Sequence, residues 1–183
     1  MLRNDLLAWV DLEMTSLKDA HIDPITEVAI VLTDSELTVV AEGPNVVIYA
    51  TDEQLDRIDP DYRHVYIENG LLAAVKKSVV TAQEAEQQIL EFLGTYALPQ
   101  TALLCGNSIH VDRHFLRIQM PRLEEYFFYR CIDVSSVKEL TKRWVPEVYT
   151  EATRRKIHQS HRAKDDIHQS IEELKFYREQ FFS

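Results

Sequence analysis

With 183 residues, 45% of them hydrophobic, the chain suits one domain with a sizeable core. A net charge of −10, from 20 basic and 30 acidic side chains, argues against a protein that grips long duplex nucleic acid through a broad basic surface. It leaves room for a short nucleotide ligand whose charge is met by metal ions and one or two basic side chains.

Glycine and proline are sparse, at 4 and 6, and no low-complexity linker or repeat divides the chain, so residues 1–183 are expected to form a single domain. No apolar run approaches the roughly 18 residues that cross a bilayer, so no membrane is expected. Met1 to Asp5 leads directly into the first apolar run and leaves no room for a secretory signal. Cys105 and Cys131 both sit in apolar, strand-like contexts and read as reduced core thiols. The expected location is the cytoplasm, with an organelle as the alternative.

The run Leu6-Leu7-Ala8-Trp9-Val10 reads as a buried strand and ends in Asp11-Leu12-Glu13. Strand side chains alternate between faces, so Asp11 and Glu13 point the same way. Two adjacent carboxylates at the tip of a core strand repel each other and resist desolvation, and a divalent cation compensates them. The alternative is two acids simply emerging into solvent.

A second strand spans Ile25 to Thr33, with Val28, Ile30 and Leu32 on one face and Ala29 and Val31 on the other. A third covers Thr38 to Ala41, breaks at Glu42-Gly43-Pro44 and resumes from Val46 to Tyr49. Short connections make the three an antiparallel meander. Leu55 to Gly70 has no clean period and reads as a short helix plus loop.

Thr81 and Glu84 form a capping-box pattern before a helix that carries Ala85, Ile89, Leu93 and Tyr96 at helical spacing. Ala102 to Cys105 is a short strand, followed by a break at Gly106-Asn107-Ser108 and a helix from Val111 to Gln119. Tyr129 to Val134 makes a fifth strand, and Ser135 or Ser136 caps a helix through Trp144. Thr150 to Ser160 is polar and basic and reads as a loop. Ile167, Ile171, Leu174 and Phe181 line one face of a final helix. The pattern implies an α/β fold: a mixed sheet of about five strands with helices on its faces.

Asp112 falls near the start of a helix, where an acid is ordinarily a cap or dipole partner. In the last helix, at about 100° per residue, Asp166 flanks the apolar stripe while Asp165 lies nearly opposite it. Asp166 is therefore the better ligand candidate. His161, five residues earlier, is either an ordinary solvated histidine or a group able to take a proton near neutral pH. His158 is its one competitor.

Asp-x-Glu on the first strand, Asp after a strand break, and His-x4-Asp leading the last helix resemble the DEDDh class of 3′–5′ exonucleases. Longer blocks resemble oligoribonuclease specifically. They are Trp9 to Thr15, Ala41-Glu42-Gly43-Pro44, Cys105-Gly106-Asn107-Ser108, Tyr129-Arg130 with Ile132-Asp133-Val134-Ser135, and Asp165-Asp166-Ile167 with Ser170 to Leu174.

The resemblance covers Leu6 to Phe182. It implies an RNase H-like fold, a homodimer, and hydrolysis of dinucleotides and very short RNAs to 5′-mononucleotides. It also implies two divalent cations, Mg²⁺ or Mn²⁺, held by Asp11, Glu13, Asp112 and Asp166, with His161 as general base. Four carboxylates matched by two divalent ions balance in charge.

The same resemblance implies that Leu17 wedges between the two bases and that Ser108, Arg130 and Ser135 hold the terminal 5′ phosphate. Tyr129 would be contributed to the partner's site. The ordinary alternatives are a surface apolar Leu17, a surface ion pair at Arg130 and core packing at Tyr129.

Ser16 stands where the family usually has glycine, so a left-handed turn there would be strained. Asp61-Tyr62 replaces Trp-Asn, and Tyr66 replaces a histidine of the same substrate-facing loop. Tyr62 or Tyr66 is the candidate for the lost aromatic platform. Two rival readings remain: a broader DEDDh exonuclease on DNA or longer strands, and a catalytically silent RNA-binding scaffold.

Overall fold

The computed structural model describes residues 2–155 and 161–182. Among them, five strands form one mixed sheet in the order β3-β2-β1-β4-β5. The strands are β1 (Leu7–Met14), β2 (Ile25–Thr33), β3 (Val39–Val47), β4 (Leu103–Gly106) and β5 (Cys131–Asp133). β1 and β2 pair antiparallel, as do β2 and β3, while β4 joins β1 and β5 in parallel register. The expected meander is therefore present, and the chain then crosses back to place β4 beside β1.

Three short helices, α1 (Asp52–Leu55), α2 (Arg63–Glu68) and α3 (Leu71–Lys77), precede the long α4 (Ala82–Tyr96). α5 (Ile109–Gln119) and α6 (Pro121–Tyr126) follow β4, and α7 (Val134–Trp144), α8 (Pro146–Arg155) and α9 (Ala163–Phe181) complete the order. The capping box of α4 forms as expected, Thr81 Oγ1 accepting from the Glu84 amide while the Glu84 carboxylate accepts from the Thr81 amide.

Period-2 alternation divides the core between the two faces of the sheet. Ala8, Val10 and Leu12 of β1 pack with Val28, Ile30 and Leu32 of β2 against Ile89, Leu93, Phe115 and Leu116. Leu7 and Trp9 pack with Ala29 and Val31 against Ile167, Ile171 and Tyr177 of α9. Asp11 and Glu13 share the parity of Leu7 and Trp9, so they continue the face that α9 covers.

Several sequence expectations need correction. β3 is continuous through Glu42-Gly43-Pro44, because its partner register shifts between Ala29 and Val31 and absorbs the extra residues as a bulge. Gly43 is required there, since a Cβ would lie 2.5 Å from Ile30 Cγ2 and 2.9 Å from the Ile30 carbonyl oxygen. Residues 55–70 hold the end of α1, turns and the short α2, which agrees with the expected short helix plus loop, whereas α8 starts at Pro146 and takes up the first part of the expected 150–160 loop. α7 is capped by Asp133, whose carboxylate accepts from the Ser135 amide, not by Ser135 or Ser136. Cys105 is a buried thiol, but Cys131 is exposed because β5 is the edge strand. The part of the expected 150–160 loop after Arg155, His158 included, lies outside the described residues.

Candidate active site

One oxygen from each of Asp11, Glu13 and Asp166 lies within 4.8 Å of the others. β1 supplies the first two by its alternation and α9 supplies the third from its first turn. Asp165 is exposed, as the helical angle requires. Oxygens at that mutual spacing fit around a divalent cation, whose bonds to oxygen are about 2.0–2.6 Å long.

Asp112 is held just behind this trio. Its Oδ1 accepts the Leu12 amide at 3.0 Å, between the two β1 acids in sequence. Gly106 makes the approach possible: a Cβ there would sit 3.0 Å from the Val10 carbonyl oxygen and 2.9 Å from Ile109 Cδ1. The loop from β4 to α5 therefore passes close against β1, and Asp112, in the first turn of α5, reaches the strand.

The electrostatics follow from crowding acids in a dry place. Burial first, and then Asp112, Glu13 and Asp166, hold the Asp11 carboxyl well above the usual carboxylate range. Burial pushes Glu13 up to about 8, with Asp166, Glu27 and Asp112 adding to it and Arg162 opposing it. Burial raises Asp112 to about 7 against the stabilising Leu12 amide. These groups resist ionising together unless positive charge joins them, which a bound cation supplies.

His161 leads into α9 with a left-handed backbone, φ 49°. Its carbonyl accepts from Asn69 Nδ2 at 2.6 Å, and its ring packs edge-on to Tyr62 with centroids 6.4 Å apart. Tyr62 is exposed, whereas Tyr66 is buried and shares a 2.9 Å hydrogen bond with Thr26 Oγ1, which in turn donates to the Glu13 carbonyl. Tyr66 thus belongs to the support of β1 and is no substrate-facing platform. Ser16 is not among the left-handed residues; its hydroxyl accepts the Lys18 amide at 3.2 Å, so the expected strain does not arise.

Leu17 is exposed on the loop after β1. That loop is tied to the segment between α1 and α2 by Arg57–Asp23 at 2.7 Å, by Lys18–Asp59 at 3.3 Å and by the Asp59 amide on the Thr15 carbonyl.

Ser108 and Ser135 meet at the end of the sheet, hydroxyl to hydroxyl at 3.2 Å. Asp133 Oδ1 accepts the amides of both, and Ser135 Oγ donates to Asn107 Oδ1 at 3.0 Å. Lys138 Nζ bonds the same Asn107 oxygen and pairs with Glu173 at 3.2 Å. Arg130 lies over the ring of Tyr129, 5.2 Å from its centroid. Tyr129 is 67% exposed, which removes core packing as its role.

The sequence reading passed over Glu27, the one charged residue of β2, although it is fully buried and faces Arg162. A lone acid in a strand otherwise built of apolar residues and two threonines was the available signal. Its partner, 135 residues on, carries no local cue.

The protein-family model described as Exonuclease matches residues 8–174. An oligoribonuclease of Acinetobacter baylyi is 48% identical over 176 residues, 96% of this chain and 94% of the relative. A mitochondrial oligoribonuclease of Mus musculus is 47% identical, covering 96% of this chain and 73% of its own. Among solved structures, the Mg²⁺- and Mn²⁺-bound form of S. pombe Pop2p matches with a TM-score of 0.70 at 11% identity, over 96% of this chain and 84% of its own. The zinc-bound E. coli exonuclease I–ssDNA complex matches with a TM-score of 0.69 at 15% identity, over 98% of this chain. This chain spans 41% of that protein, and at these identities the likeness is one of fold.

Proposed function

Because the chain belongs to the oligoribonuclease family and is a metal-dependent 3′–5′ exoribonuclease of RNase H-like fold, we propose that it hydrolyses dinucleotides and very short RNAs to 5′-mononucleotides with two divalent ions and a histidine base. The observation that carries this reading is the convergence of Asp11, Glu13 and Asp166 from two elements onto one point. Those three acids would hold the ions, Mg²⁺ or Mn²⁺, together with Asp112, whose Oδ1 accepts the Leu12 amide. Bound there, the ions would supply a water of lowered pKa and stabilise negative charge on the leaving group.

His161 takes the proton of the attacking water. Leu17 projects from its tethered loop to separate the two bases. Ser108, Ser135 and Arg130 hold the terminal 5′ phosphate, for which an arginine fork is the suited donor. Asp133 already accepts the amides of Ser108 and Ser135, so the Ser108 hydroxyl and the guanidinium are the donors at hand, and the Ser135 hydroxyl joins them when it turns from Asn107. Closing the site at that phosphate limits the substrate to about two nucleotides, in keeping with the chain's negative charge. Tyr129, exposed, is offered to the site of a second copy in a homodimer. Residues 1–183 act as a single exonuclease domain, in the cytoplasm or an organelle; no helix among the described residues is long and apolar enough to cross a membrane.

The test compares a 5′-phosphorylated diribonucleotide with a twenty-nucleotide strand, each with and without EDTA. Faster turnover of the dinucleotide, abolished by EDTA, is the expected result. Preference for the long strand overturns the length assignment, and hydrolysis that survives Asp11→Ala overturns the metal site.

A further inference from the structure

We propose that Glu27, Arg162 and Asn69 form a positioning clamp that holds His161 in the backbone conformation its chemistry needs. This rests on the reading of His161 as the general base and extends it to residues that touch neither substrate nor ion. Asp11 and Glu13 are placed by strand alternation in β1 and Asp166 by the first turn of α9, where the Asp166 amide donates to the Arg162 backbone carbonyl, a bond that a change of the Arg162 side chain keeps.

A non-glycine residue with a positive φ sits in a sparsely populated conformation and persists there only where its surroundings over-determine it. His161 has a φ of 49°, and two sets of bonds hold the chain that follows its Cα. At the His161–Arg162 peptide, the His161 carbonyl accepts from Asn69 Nδ2 at 2.6 Å. After it, the Arg162 guanidinium grips Glu27 through Nε at 3.0 Å and Nη2 at 2.7 Å, and the Ala163 amide donates to Glu27 Oε2 at 3.1 Å. Arg162 Nη1 also reaches the Asn69 carbonyl at 3.5 Å, which links the two halves.

The clamp is rigid because its anchor is. Glu27 is fully buried in β2, directly opposite Glu13 of β1 in the sheet register. A buried carboxylate needs its partner, since a buried unpaired charge is costly, and the planar guanidinium meets it through two nitrogens. The strand pair that carries the acids is thereby tied to the residue next to His161. The backbone angle at His161 sets the direction of its Cα–Cβ bond, and so where the imidazole can project. Losing the clamp lets that residue relax toward commoner angles while Asp11 and Glu13 stay where the sheet puts them.

A double-mutant cycle tests this, with kcat and KM for a 5′-phosphorylated diribonucleotide and the half-saturating Mn²⁺ concentration measured for each variant. Arg162→Gln is expected to lower kcat about 10–100-fold, with KM and the Mn²⁺ requirement changed by less than about threefold. In a His161→Ala background the same substitution is expected to cost less than about threefold, because a residue acting through His161 has nothing left to position. Arg162→Lys restores part of the lost kcat. Asn69→Ala, at the half-buried end of α2, is run through the same cycle and gives the answer if Arg162→Gln does not fold. A comparable loss in both backgrounds, or a loss carried by KM or by the Mn²⁺ requirement, overturns the clamp. Wild-type turnover by His161→Ala alone overturns the base assignment instead.

Discussion

The Leu12 amide donates to Asp112 Oδ1 at 3.0 Å, joining an acid in the first turn of α5 to the residue between Asp11 and Glu13. That single bond across 100 residues places a fourth carboxylate beside the trio, and it separates what Asp112 does for the fold from what it does for the chemistry. Asp112→Asn keeps the acceptor for Leu12 and removes a buried charge whose carboxyl is already raised to about 7. Thermal melting is expected within about 4 °C of the parent, on the scale of 1 kcal/mol, while hydrolysis falls about 100-fold or more. A variant with full activity would remove Asp112 from the metal site.

Ion binding should depend on pH in a direction the acids determine. Glu13 titrates at about 8 and Asp112 at about 7, both above their unfolded values, and Asp11 is raised as well. The ion-free folded protein thus holds more protons than the unfolded chain between about pH 4 and 8, and its stability falls as pH rises through that window. A cation binds the deprotonated acids, so its stabilising effect grows over the same range. Melting in EDTA should show a declining Tm from pH 5 to 8.5, and Mn²⁺ at about 100 times its Kd at pH 8.5 should raise Tm by roughly 5–10 °C at that pH, the same concentration raising it by less at pH 6. A Mn²⁺ shift that is larger at pH 6 contradicts the site.

Tyr62 and Tyr66 should separate cleanly. Tyr62 is exposed beside His161, and removing it in Tyr62→Ala is expected to raise KM for a diribonucleotide about tenfold, the scale of one base-stacking contact. Tyr66→Phe deletes only the buried hydroxyl on Thr26, so it should cost about 1 kcal/mol of stability and leave KM unchanged. Steady-state kinetics beside chemical denaturation checks both, and a KM effect from Tyr66→Phe would reverse the assignment.

Gly43→Ala is expected to destabilise the protein by about 1–3 kcal/mol, because the new methyl meets Ile30 Cγ2, Phe92 Cε1 and the Ile30 carbonyl at under 3.0 Å. Denaturant midpoints report it. An unchanged midpoint would mean that β3 shifts freely along the sheet edge.

The local part of this molecule was legible in its residues. Alternation along Leu7–Met14 puts Asp11 and Glu13 on the same face, and the helical angle selects Asp166 over Asp165, because both follow from the period of one element. The capping box at Thr81 and the antiparallel meander are equally short-range. Helix α8 and the continuous β3 were missed, since Pro146 reads as a stop as readily as a start and a bulge at Gly43-Pro44 reads as a break. Tertiary structure alone decided that Tyr66 points inward, that Cys131 lies on an edge, and that Glu27 meets Arg162 across 135 residues. Such pairings depend on which surfaces the sheet order brings face to face, and no periodicity within a single segment encodes that.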